Sequence, residues 1–124
     1  MISDLTKKNA RVVLNFAYRQ LVHGQRQRFT FWGWINREHI MFKMQKNSKG
    51  IFWVVWKWAN SWDGYTKYNT YQLADESLQP LDYQYHMKML NERADRMTQI
   101  EELTLLLPFY LEKSPWKCDA TRAA

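Results

Sequence analysis

The succession of hydrophobic patterns predicts a two-layer α+β domain: an N-terminal helix, an antiparallel meander of three or four strands, and a long C-terminal helix. Three observations predict it. A stretch with helical periodicity opens the chain. Three runs rich in aromatic and β-branched residues, free of proline and separated by hairpin-sized turns, span Arg28 to Trp58. A second helical repeat then begins at Asp82. Helices and an antiparallel sheet segregated along the chain pack as two layers around one core. The 124 residues, 46% hydrophobic and 24% charged, suit one globular domain. Residues 1–116 are assigned to it, with 117–124 as a flexible tail.

In the first helix, Ser3 and Asp4 are candidate N-caps. At about 100° per residue, Ala10, Val13, Leu14, Phe16, Ala17 and Leu21 fall on one side. Lys7, Lys8, Arg11, Asn15, Tyr18 and Arg19 fall on the other. The helix should bury the first set, show a basic stripe, run to about Val22 and stop at Gly24.

The three strands are expected at Arg28–Ile35, His39–Lys46 and Ile51–Trp58, turning at Asn36-Arg37 or the slightly longer Asn36–His39, and at Asn47–Gly50. Turns of two or four residues preserve parity, which places Phe31 opposite Phe42 or Met44, and Phe42 opposite Val55. One face then carries Phe29, Phe31, Gly33, Ile35, Ile40, Phe42, Met44, Ile51, Trp53 and Val55, uncharged until Lys57 at its rim, and must be the core side. The other carries Arg28, Thr30, Trp32, Trp34, His39, Met41, Lys43, Gln45, Phe52, Val54, Trp56 and Trp58. Tyr65–Leu73 is expected as a fourth, edge strand in preference to an ordered loop. The last helix should run from a cap at Asp82 to about Leu107. Its stripe is Met87, Leu90, Ala94, Met97, Ile100, Leu103 and Leu107, with a Glu92–Arg96 pair on its surface, and Pro108 should kink or end it.

Charge and tryptophan are both unevenly placed. Residues 1–62 carry eleven Lys/Arg against two acids, whereas residues 63–124 carry seven against ten. Six of the seven tryptophans lie between Trp32 and Trp62, interleaved with those cations. A basic half favours phosphates, an anionic surface or an acidic protein. Flat rings beside cations suit unpaired bases, and equally a protein hot spot. If the C-terminal helix instead covered this face, the rings would be core.

Motifs exclude more than they identify. There is no GxGxxG and no GxxxxGK[ST], and His23, His39, His86 and Cys118 have no metal-ligand spacing. No acid sits in a diagnostic catalytic motif, so no catalytic residue, metal or cofactor is assigned. The lone cysteine, the absence of a long apolar run, and an N-terminus without a charged leader ahead of an apolar core favour a cytoplasmic, non-membrane protein.

The expected function is non-catalytic binding, foremost of nucleic acid, through Trp32, Trp34, Lys43, Trp56, Trp58 and Arg28 on the sheet and Lys7, Lys8, Arg11 and Arg19 on the helix. The alternative is a small protein-binding inhibitor or regulator, of the kind phages and plasmids encode, acting on an acidic or nucleic-acid-handling partner. A homodimer is a further way to cover a ring-rich face.

Overall fold

A computed structural model describes residues 4–111 of the chain. Helix α1 (Ala10–His23) is followed by strands β1 (Arg28–Ile35), β2 (Glu38–Asn47), β3 (Gly50–Asn60) and β4 (Gly64–Ala74), then helices α2 (Tyr83–Arg93) and α3 (Gln99–Tyr110). The strands form one antiparallel sheet in chain order. The α+β meander is as expected, with β4 present as the edge strand.

Short turns set the register. Asn36 and Arg37 adopt left-handed φ values of 51° and 67°. That is the primed hairpin geometry, whose twist matches the strands it joins. Phe31 accordingly pairs with Phe42, and Phe42 with Val55. The alternate set from Phe29 to Val55 is buried as expected, and it meets Ala10, Leu14, Ala17 and Leu21 of α1 and Ile100, Leu105 and Leu107 of α3 in one core. Trp53 is fully buried there, its ring stacked 5.2 Å from that of Phe42. The helices therefore lie on the Trp53 side of the sheet.

Three boundaries differ from expectation. The first helix starts at Ala10, because the preceding residues do other work. Asp4 bridges Trp32, and the Leu5 amide donates to the Trp32 carbonyl at 2.7 Å. Leu5 is buried in the core. Its carbonyl lies so close to Gly33 that a Cβ there would overlap it, which is why this strand position holds glycine. Thr6 and Asn9 then exchange backbone-to-side-chain hydrogen bonds of 2.9 and 3.2 Å, turning the chain into the helix. Ser3 lies outside the described residues.

The single C-terminal helix is two helices. Asp82 caps α2 as expected, accepting from the Tyr85 amide at 2.7 Å. The helix ends at Arg93, and Thr98 restarts it with a capping box closed by Glu101. Arg96 falls in the break, so Glu92 approaches Lys88 instead, at 4.0 Å. Of the expected stripe only Ile100 and Leu107 are fully covered. Pro108 lies inside α3, which ends two residues later.

On α1 the buried set includes Tyr18, expected outside, and omits Phe16, which is 53% exposed. Trp116, Cys118 and the expected tail lie outside the described residues. Among the described residues, no helix is long and apolar enough to cross a membrane.

Candidate functional site

The second face of the sheet carries no helix among the described residues. Its cross-strand pairs form rows. Trp32 pairs with Met41, Met41 with Trp56 and Trp56 with Lys67. Thr30 pairs with Lys43, Lys43 with Val54 and Val54 with Thr70. Arg28 lies one row further out, opposite Gln45. Val54 is buried; Trp32, Met41, Lys43 and Trp56 are half-buried, and Arg28 and Lys67 are exposed.

The Trp56 ring sits between two ammonium groups, Lys43 Nζ at 5.4 Å and Lys67 Nζ at 5.6 Å from its centroid. Both are within range of cation–π attraction. That attraction holds the two lysines over the sheet and leaves part of each ammonium for an anion. Among the described residues, neither lysine nor Arg28 is in ion-pair range of a carboxylate. The face itself carries no acidic side chain.

At one end of the sheet, beside the β1–β2 and β3–β4 turns, four rings converge. Trp34 lies 4.9 Å from His39, His39 lies 5.6 Å from Tyr65, and Tyr65 lies 5.3 Å from Trp58. The Tyr65 hydroxyl meets His39 Nδ1 at 2.7 Å, fixing both rings. Trp34 remains 73% and Trp58 48% exposed, so these braced rings present wide apolar surfaces to solvent. Trp62, at the tip of the β3–β4 hairpin, is 94% exposed.

The sequence-derived residues divide between two sides of the molecule. Trp32, Trp34, Lys43, Trp56, Trp58 and Arg28 share the open sheet face. Arg11 and Arg19 belong to α1, which packs on the core side of the sheet, and Lys7 and Lys8 lie in the turn that leads into it. Arg11 also stacks on the Tyr110 ring at 4.7 Å, tying α1 to α3. Lys46 serves the fold, donating to the Leu21 and Gly24 carbonyls at the end of α1 at 2.7 and 3.4 Å.

Tyr65 and Lys67 are members of the face that sequence reasoning missed. Strict alternation along β4 puts them with Asn69 and Tyr71. A bulge at Tyr68 reverses the parity, because Val55 pairs with Asn69 while Trp56 pairs with Lys67. The sequence carries no plain signal for that extra residue.

A second polar group lies on the helical side. Fully buried Glu101 accepts from the Tyr71 hydroxyl at 2.5 Å and from Asn69 Nδ2 at 2.9 Å. Arg93 donates to Asn69 Oδ1 at 3.3 Å and covers the Tyr71 ring at 4.9 Å. Burial, then the hydrogen bond and charge of Glu101, raise the Tyr71 pKa against the opposing effect of Arg93. Tyr71 therefore stays a proton donor, and the group pins α3 to β4. Among the described residues, no group of three or more His, Cys, Asp or Glu side chains is placed to hold a metal ion. Comparison with protein-family models, curated proteins and solved structures finds no match for this chain.

Proposed function

We propose that the protein is a non-catalytic, cytoplasmic binding protein whose open sheet face holds a single, unpaired nucleic-acid strand. The observation that carries this reading is the exposed, braced ring cluster of Trp34 and Trp58 beside an acid-free face bearing Arg28, Lys43 and Lys67. Bases stack on rings at about 1–3 kcal/mol each, and lysines neutralise the phosphates between them. A duplex keeps its bases stacked on one another, so flat exposed rings add little to duplex binding, and an unpaired strand uses both features.

The test is fluorescence anisotropy with a labelled oligothymidylate over a range of salt. Affinity should fall steeply as salt rises, and Lys43→Ala and Lys67→Ala should each flatten the log–log salt slope by about 0.7. No binding at low salt would overturn the proposal.

A second reading uses the same rings as a hot spot for a partner protein, as an inhibitor or regulator of mobile-element type would. It draws on Trp62, 94% exposed at the tip of the β3–β4 hairpin, which adds a third exposed indole at the turn end of the sheet. It predicts a complex that survives high salt and needs no oligonucleotide.

A further inference from the structure

The outer face of α1 carries two large apolar residues side by side on one exposed strip. The buried residues of α1 are Ala10, Leu14, Ala17, Tyr18 and Leu21. On the opposite side of the helical wheel stand Val12 and Phe16, 73% and 53% exposed, one turn apart. Arg19 continues the same strip, and Lys8 lies in the turn just before the helix. Phe16 also meets Phe29 edge-on at 6.4 Å, and the Arg26 guanidinium covers Phe29 at 4.6 Å. The result is an apolar ridge flanked by Arg19 and Arg26, with Lys8 in the turn that precedes the helix. No residue of α1 is acidic, so nothing on the helix neutralises them.

We propose that this face is a docking surface for an acidic segment of a partner protein. An apolar side chain of that segment packs between Val12 and Phe16, and its carboxylates meet Lys8, Arg19 and Arg26. Charge complementarity selects an acidic partner. The ridge selects protein over nucleic acid, because a phosphate backbone gains nothing by covering valine and phenylalanine, whereas protein interfaces surround such apolar anchors with polar contacts. The surface lies across the core from the open sheet face, so both can be occupied at once. The inference is independent of what the sheet binds.

The test uses the full chain, labelled for amide NMR, with a synthetic acidic helical peptide whose leucines lie on one face. A matched peptide with those leucines replaced by serine is the control. Expected are shifts confined to residues of α1 and the neighbouring Arg26, an affinity at least about tenfold above the control peptide, and a comparable loss in Val12→Ser/Phe16→Ser and in Arg19→Glu. Val12, Phe16 and Arg19 are exposed, so an unchanged spectrum elsewhere shows that the fold is kept. Absence of binding, equal binding of the serine peptide, or shifts on the sheet would each overturn the proposal. So would α1 shifts produced by a duplex oligonucleotide and not by the peptide.

Discussion

Lowering the pH should destabilise this protein through one histidine. His86 in α2 is fully buried, with the rings of Tyr85 and Phe109 at 5.2 and 5.6 Å. Burial, opposed by the Asp82 charge and the Leu81 backbone, lowers its pKa from 6.5 to about 4. Above 6.5 the imidazole is neutral in folded and unfolded chains alike, and it adds no pH dependence. Between 6.5 and about 4 the unfolded chain takes up a proton that the folded chain does not, so stability falls as pH falls. For these values linkage gives a loss of about 2 kcal/mol at about pH 5 and about 3 kcal/mol at about pH 4, levelling off below. Urea unfolding followed by circular dichroism, in the native chain and in His86→Leu, measures it. Both chains share every carboxylate, so the difference between them isolates the histidine. The stability of His86→Leu relative to the native chain should rise by about 3 kcal/mol between neutral pH and about pH 4. A difference that stays flat across that range would refute the reasoning, as would a His86 ring signal titrating near 6.5 in the folded protein.

Three further substitutions probe the scaffold. Glu101→Ala removes the capping box and strands the Tyr71 hydroxyl and Asn69 amide in the core, so urea unfolding should show a loss of about 3 kcal/mol, partly recovered by adding Tyr71→Phe. Gly33→Ala forces a methyl against the Leu5 carbonyl. It should reduce stability by about 1–3 kcal/mol and speed hydrogen exchange at the Leu5 amide. Arg37→Gly creates an Asn-Gly turn and relieves a left-handed arginine, so thermal unfolding should show a gain of about 1 kcal/mol.

The central hairpins were legible because their turns are short. Asn36-Arg37 leaves no freedom to slip, and one slip would have turned Phe31 and Phe42 to solvent. The same parity puts Trp34, Lys43, Trp56 and Trp58 on one face. The fourth strand was legible as a strand but not in register, since the bulge at Tyr68 answers to packing against Arg96 and Lys57 and leaves no pattern in the sequence. The break between α2 and α3 was written in Thr98 and Glu101. It was obscured by apolar residues that continue across it at helical spacing. The start of α1 was misread because Asp4 is a good cap on propensity alone, while burial of Leu5 and its bond to Trp32 outweigh that preference. Periodicity could not separate Phe16 from the core set either, because it lies at the margin of the apolar arc. What the sequence left hidden was depth: only the placement of the helices on the Trp53 side shows that, among the described residues, no helix lies over the opposite rings.

The ring face is tested most directly by comparing oligothymidylate binding to the native chain and to Trp34→Ala/Trp58→Ala at low salt. Loss of two stacking rings should weaken binding by at least about thirtyfold, at the lower limit of stacking energies, while leaving the salt slope unchanged. Equal affinity in the two chains would contradict the account.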